Sequence, residues 1–551
     1  MKQYDVAIIG YGPTGAMMAY LLGRQGLSTL VVEPNLDIYK IPRAVHYDGE
    51  AMRIFQSLGM IDEIQESSRE PGFASFLNGF NWKIFHQDLS KSDRVHHWAN
   101  SHFFSQPELE KLLRSRVSQC ASVDHKLGWR LTDVDQDSTG VTIRIAEHEG
   151  HQTGEFRCSY LLGCDGAASS TRELANIPLT DLGCDEPWLV CDLMLEKSIE
   201  INDEIYQICD PARPTSLIPC EPGHIRWEFM LNDSDDPHEI EVEEKVRALM
   251  APYISRLNSQ LTANDGSLIR SKIYRFHALL ANQFKRGRIL LLGDAAHQMP
   301  PFLGQGLCSG LRDTYNLSWK LGGVIANQWD PKVLESYQSE RQPHVEEVIN
   351  LAIQHGEIIQ TRNRFKAIVR DLFLLLGRLF PPLIASIKFG QQWRLGKGIF
   401  SEDSSPLNRF MLRQCMITRE HGEQALLDDL LSDSFNLIGF DTDVDALVSQ
   451  HNIDFLGAPL NTFNIGAHGQ GVDETGTLQG WADDNQIAIA LLRPDKQIYG
   501  LCYQNNAQSL GEQLADLLGQ LKTQLTQRNS PEFAAYIDHK VVFVQWTLVT
   551  R

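Results

Sequence analysis

The chain opens on a short apolar run, Tyr4-Asp5-Val6-Ala7-Ile8-Ile9, that stops at Gly10. Gly10-Tyr11-Gly12-Pro13-Thr14-Gly15 follows, and then Ala16 to Leu22 with apolar side chains at helical spacing. Gly26 ends that helix, and Ser28-Thr29-Leu30-Val31-Val32-Glu33 reads as a second strand. The succession predicts a complete βαβ unit in roughly 30 residues. Later runs repeat the theme. Tyr160 to Gly163 is an apolar strand that runs into Asp165-Gly166, and Arg288 to Gly293 is another that runs into Asp294. Pro300 to Gly306 then leads to a helix over 311–325. His224 to Met230 alternates as a sheet strand does. The greasiest stretch, Ile368 to Gly390, carries Arg370, Asp371, Arg378 and Pro381-Pro382, so no uncharged span of ~20 residues exists there. It is expected to be a helix packed on the protein. Near the end, Asn436–Phe440 and Ile487–Leu492 read as strands, Arg493 to Gln497 as a hairpin-like turn, and 509–525 as a helix.

Length refines this picture. At ~150 residues per domain, 551 residues predict three to four units of an α/β chain. The hydrophobic share of 42% is ordinary for a globule with a sizeable core. Fifty Lys and Arg against 70 Asp and Glu leave a net charge of −20, which argues against nucleic acid and anionic lipid as partners. Two stretches, Asp233 to Glu244 and Glu423 to Asp445, hold seven acids each and no Lys or Arg. They read as a solvated helix face and an acidic loop. The N-terminus has no signal-peptide pattern, and the ten cysteines form no Cys-x-x-Cys pair. A cytoplasmic protein with reduced thiols, no membrane anchor and no metal site is expected.

The chemistry begins with the glycines. Gly10 allows a tight turn, Gly12 lets backbone approach a pyrophosphate, and Gly15 lets helix and strand pack closely. Glu33 at the end of the second strand suits a ribose 2′-hydroxyl, so the dinucleotide is NAD or FAD. Asp294, at a strand end facing a glycine-rich helix start, suits a polyol hydroxyl, with the helix N–H groups facing negative charge. A simple helix N-cap is the alternative for Asp294.

These three motifs, in this order, resemble the single-component FAD-dependent aromatic hydroxylases. The likeness covers about 1–500 and lies nearest the branch of phenol, resorcinol and 3-(3-hydroxyphenyl)propionate hydroxylases. It implies an α/β fold: a Rossmann-like FAD domain of the glutathione-reductase type, a β-sheet substrate domain and a C-terminal thioredoxin-like domain. The expected boundaries are 1–72, 100–178 and 284–360 for the FAD domain, and 73–99 and 179–283 for the substrate domain. A helical connector over 361–400 and a thioredoxin-like domain over 401–551, lacking Cys-x-x-Cys, complete the chain. The role of that last domain would be packing and contacts in a homodimer. By the same likeness Gly10, Gly12, Pro13, Thr14, Gly15 and Glu33 hold the ADP part of FAD, and Asp165, Gly166, Ser169 and Arg172 serve FAD and the pyridine nucleotide. Gly293, Asp294 and Gln106 meet the ribityl chain, and Arg43 lies in the Pro42-Arg43-Ala44 segment near the flavin. Gly304, Gln305, Gly306 and Leu307 form the shielding loop, in which Cys308 stands where the family often has Asn. Cys308 is expected to be a small packing residue.

The implied reaction takes FAD, NADH or NADPH as a transient co-substrate, and O2. Its substrate is a small aromatic, a phenol, whose hydroxyl gains from a nearby base or acceptor. Asp48 is the expected base or orienter, with a helix cap over 50–58 as its structural alternative. Arg226 would hold a substrate carboxylate or steady the flavin if it faces inward, against the alternative of an ion-paired surface Arg. Tyr206 is a similar candidate, and His297 and Pro300 flank the flavin by likeness. A flavin monooxygenase of larger polyketide or antibiotic substrates and a non-catalytic FAD-binding protein are the competing readings. A halogenase is disfavoured because no Trp-x-Trp-x-Ile motif is present.

Overall fold

A computed structural model describes residues 2–196, 199–380, 392–403, 405–419, 421–451, 460–466 and 469–526. The Val541 to Val544 run and Pro381-Pro382 lie outside the described residues.

The first sheet has eight strands. Its spine runs Lys285–Arg286, Ile289–Leu291, Thr153–Gly163, Lys2–Ile9, Thr29–Glu33 and Val123–Leu127. The last five of these pair in parallel, in register Gly163↔Leu291, Ile9↔Gly163 and Ile9↔Val32. Their carboxyl ends therefore finish side by side. Gly10, Asp165 and Asp294, far apart in sequence, follow adjacent strand ends, the place where open parallel sheets bind ligands. The Val6 to Ile9 side chains are buried on both faces, as a parallel strand between helices requires.

The second sheet also has eight strands, ordered His297–Gln298, Ser267–Ala281, Leu179–Met194, His224–Met230, Thr215–Pro219, Glu204–Cys209, Phe73–Asn78 and Lys83–Asp88. One face packs its own core of Trp227, Phe229, Ile208 and Tyr206 under the Glu243–Met250 helix. The other face looks toward the carboxyl ends of the first sheet.

In the third sheet, Asn461–Ile465, Asn436–Phe440, Ile487–Leu492 and Ile498–Tyr503 lie in that order. The first pair is parallel and the next two are antiparallel. With helices Val444–Gln450, Thr477–Asp484 and Leu510–Thr526 this is a thioredoxin-like arrangement. It joins the rest of the molecule through buried charge. The carboxylate of Glu340 accepts from both Arg493 Nη atoms (2.9 Å each), Lys320 Nζ (2.7 Å), Asn316 Nδ2 (2.7 Å) and the Ile399 N–H (2.8 Å). Asp495 completes the cluster against Arg493. A second joint pairs Arg53 with Asp428, both buried. Asp428 belongs to the acidic stretch read as solvated; there it is a core partner, because a buried Arg needs a counter-charge.

In the connector the expected packed helix is present, but it docks by a narrow stripe only. The Arg364–Leu379 helix turns Ala367, Leu374 and Gly377 inward and leaves Phe365, Ile368, Leu372, Leu376 and Leu379 exposed, with Leu379 open to 73%. Ala367, Leu374, Gly377 and the Arg370–Asp371 pair occupy the packed stripe, and the other large apolar side chains point away from the body.

Candidate active site

A cavity of about 880 Å³ lies between the first two sheets. At one end it meets Gly10, Gly12, Pro13, Thr14 and Glu33. The Pro13–Arg24 helix begins there with Gly12 as its cap residue and no side chain capping it. A Cβ on Gly12 would meet nothing within 4 Å, whereas one on Gly15 would lie 2.0 Å from the Gly10 carbonyl oxygen. Gly12 thus keeps open space and Gly15 serves packing. The Glu33 carboxylate accepts from the Tyr11 N–H (2.8 Å) and from Asn35.

The middle is built by the other two motifs. Asp165 lines the cavity and accepts from Ser169 Oγ (2.5 Å) and the Thr171 N–H (2.9 Å), which freezes the Asp165-Gly166 turn. Asp294 carries open surface although protein surrounds it, because that surface is the cavity's. Burial raises its carboxyl above the usual range, and His297 and Arg43 oppose the rise. The Gly306–Ile325 helix starts beside it without a side-chain cap, and Gly304, Gln305, Gly306 and Leu307 all line the wall. Gln106 Oε1 accepts from the Ala44 N–H (2.7 Å) and the Arg43 N–H (3.2 Å), fixing the Arg43 segment over the opening. Two uncapped helix starts and a frozen acidic turn on one elongated cavity fit the phosphates, ribityl chain and ring of FAD.

The far end belongs to the second sheet, where Gln207, Arg226, Glu228, Arg270, Tyr274 and Phe276 face inward. Asp192 anchors this wall. It pairs with Arg226 (2.9 Å), Arg270 (2.5 Å) and His224 (3.0 Å). Burial would raise the Asp192 carboxyl, but Arg226 and His224 outweigh it and hold it well below the carboxylate range.

Several expected residues sit elsewhere in the architecture. Arg226 is not at the surface: it is buried and donates to the Pro42 and Arg43 carbonyls (2.7 and 2.8 Å). It clamps the segment that roofs the cavity. Tyr206 faces away, since strand alternation sends its neighbours Ile205 and Gln207 to the cavity and Tyr206 into the opposite core. Its hydroxyl donates to Glu204 (2.8 Å). His297 is fully buried and off the cavity wall, with Nε2 2.7 Å from Asp313. Pro300 is buried too, and its neighbour Pro301 lines the wall instead. Arg172, Gly15 and Gly293 support from behind: Arg172 donates to the Ala295 and Ala167 carbonyls (3.1 and 3.0 Å), tying the second motif to the third. Asp48 does line the cavity, yet Oδ1 caps the Gly49–Ser57 helix through the Ala51 N–H (3.0 Å) and Oδ2 is paired with Arg312. Burial pushes its carboxyl up, but Arg312 and the helix N–H win and hold it at about 2. So strong a pairing makes Asp48 a poor proton acceptor. Cys308 is buried against the Gly304 carbonyl, its thiol pushed up by burial, as a packing residue would be.

Sequence reading missed Arg312, Asp313, Asp192, Glu228 and Arg270. A signal existed for two of them: Arg312-Asp313, like Lys320 further on, places charge within a mostly apolar helix, and a buried helix face keeps charge only where partners wait.

Comparison with known proteins agrees with this geometry. The family model described as FAD binding domain matches residues 3–352, and one described as HcaD C-terminal domain matches 410–517. A probable NADH-specific resorcinol 4-hydroxylase of Rhodococcus jostii (strain RHA1) is 32% identical over 513 residues, 91% of this chain and 92% of its own. A 3-(3-hydroxy-phenyl)propionate/3-hydroxycinnamic acid hydroxylase of Burkholderia cenocepacia (strain HI2424) is 31% identical, covering 90% and 93%. Among solved structures, the flavin-dependent monooxygenase PieE, in complex with FAD and substrate, aligns with a TM-score of 0.78 at 20% identity over 94% of this chain and 99% of its own. Aklavinone-11 hydroxylase, with FAD and aklavinone, aligns at 0.75 and 20% over 95% and 99%.

Proposed function

The chain belongs to the FAD-dependent aromatic hydroxylase family, and from that premise we propose that it hydroxylates a small phenol of the resorcinol or 3-hydroxyphenylpropionate kind, with NADH as the electron donor. It is an FAD-dependent monooxygenase that uses NAD(P)H and O2. The observation that carries the substrate reading is the continuity of one cavity from the glycine-rich turn to the polar wall of the second sheet. A ring entering at that wall meets the flavin end with water largely displaced by Phe103, Met299 and Phe302.

Each part has its role in this proposal. Gly10, Gly12, Pro13, Thr14 and Glu33 hold the adenosine and pyrophosphate, and Asp165, Gly166, Asp294 and Gln106 the ribityl region. Gly304, Gln305, Gly306 and Leu307 present N–H groups to the ring. Bound FAD supplies hydride acceptance from the nicotinamide and activation of O2. Arg226 keeps the Arg43 segment closed over it. The domain boundaries given above are proposed unchanged.

The test is NADH oxidation by holoenzyme across resorcinols, hydroxyphenylpropionates, phenol and polyketide phenols, with product mass. Substrate-stimulated oxidation and a product with one added oxygen are expected. Flavin that stays bound while no phenol stimulates oxidation would overturn the reading in favour of a non-catalytic FAD protein.

We also propose a homodimer through the Arg364–Leu379 helix. Nine large apolar side chains stand open from Phe365 to Phe380. At on the order of 100 Å² apiece they approach the ~800 Å² per partner that a standard interface needs. Light scattering should give a dimer, and Leu372→Glu with Leu376→Glu a monomer; a wild-type monomer at tens of micromolar would refute it. A cytoplasmic location is proposed on the ten free thiols, nine of them buried. No described helix is long and apolar enough to cross a membrane.

A further inference from the structure

Among the described residues, two acids on the cavity wall, Glu228 and Asp294, have no donor on their carboxylates; Asp294 lies among the glycine-rich motifs at the flavin end, and Glu228 stands alone on the wall of the second sheet. Asp165 is held by hydroxyls and an N–H, Asp48 by Arg312 and a helix N–H, Glu50 by Arg312, Glu110 by Gln106, and Glu33 by Tyr11 and Asn35; Asp192, behind the wall, is held by two arginines. Glu228 is buried and lines the cavity, and among the described residues no donor sits within hydrogen-bonding reach of its carboxylate. The strand explains why. In His224–Met230, Arg226 and Glu228 share the cavity face and Trp227 fills the core behind. Cross-strand neighbours of Glu228 are Val190 and Ser216; the Ser216 hydroxyl is spent on Gln207 (2.7 Å). Arg226 and Arg270, the nearby cations, are committed to Asp192.

We propose that Glu228 is the catalytic base of this site, accepting the ring-hydroxyl proton of the bound phenol. The proposal rests on the phenol-hydroxylase reading above. The substrate O–H bond breaks, its proton passes to a Glu228 carboxylate oxygen, and the electron pair stays on the phenolate oxygen, from which it delocalises to the ring carbons that attack. Nothing else is consumed in the step. The charges acting on Glu228 are Arg226 on its own strand, Asp192 on the flanking Leu179–Met194 strand and Arg270 on the next strand, Ser267–Ala281; His46 and Arg43 line other parts of the same cavity. Burial raises the Glu228 carboxyl above its ordinary 4.5, which strengthens it as a base, while Arg226 keeps it from rising freely. Asp48, held at about 2, is the weaker base of the two.

The experiment compares wild type, Glu228→Gln and Glu228→Asp as holoenzymes, with flavin content and melting temperature as controls. Glu228→Gln should keep FAD and lower hydroxylation of ordinary phenols on the order of 10²-fold at pH 7, with more uncoupled peroxide. Its rate should climb as pH approaches the substrate's own pKa. A fluorinated phenol already ionised at pH 7 should lose far less, and Glu228→Asp should recover part of the rate. Equal losses for ionised and un-ionised phenols, an unchanged coupled rate, or the same rescue pattern in His46→Gln but not in Glu228→Gln would each overturn the assignment. Wild type that hydroxylates no phenol would instead sink the parent reading and take Glu228 with it.

Discussion

Replacing Glu340 by Gln should loosen the whole molecule by about 3 kcal/mol at pH 7. The figure follows from its surroundings. Burial alone would push this carboxyl up, yet Arg493 and Lys320 hold it at about 2 against an ordinary 4.5. That gap, at about 1.4 kcal/mol per pH unit, is roughly 3 kcal/mol, within the range for breaking a buried ion pair. The amide keeps the shape but removes one of two negative charges facing Arg493 and Lys320. The sign with pH is fixed as well. A depressed carboxyl adds stability that is complete above about 4.5 and fades as pH falls toward about 2. Urea unfolding read by fluorescence and by flavin release should show the loss at pH 7, and the variant should lose less than wild type between pH 4.5 and 3. Adding Lys320→Met should return much of the stability, since Arg493 and Asp495 then balance alone. A single variant within about 0.5 kcal/mol of wild type at pH 7 would refute the reasoning.

Two further outcomes are expected. Gly12→Ala should fold normally and bind FAD at least tenfold more weakly, because its Cβ enters open space, while Gly15→Ala should fail to give folded protein because its Cβ strikes the Gly10 carbonyl; flavin titration and soluble yield check the pair. Tyr206→Phe should leave kcat unchanged and cost about 1–2 kcal/mol of stability, the value of a hydroxyl that donates to Glu204 and accepts from Asn202; a fall in kcat would return Tyr206 to the site.

The glycine-rich end of the cavity was legible from sequence because its rules are local. Gly10, Gly12, Gly15 and Glu33 sit in one βαβ unit, and spacing alone states their geometry. The Ile487–Leu492 strand and its turn at Arg493 were legible for the same reason, an apolar run closed by polar turn residues. The substrate wall was not. Whether Tyr206 or its neighbours face the cavity depends on the phase of strand alternation, which pairing with Phe73–Asn78 sets from 131 residues away. Asp48 showed its acid but not its partner, since Arg312 lies 264 residues on. The packed face of Arg364–Leu379 was hidden because apolar side chains lie on both faces of the helix, so polarity does not mark which side docks.

The charged joint at Glu340 limits how such proteins can be recombined. Its members come from the Gly306–Ile325 helix, the next helix and the hairpin after Leu492. A chimera that took its last domain from a relative would keep Lys320 and Glu340 but lose the Arg493 and Asp495 matched to them. Only pairs that exchange all four positions together should assemble. The C-terminal domain is therefore a keyed part, and its ancestry should track that of the flavin half.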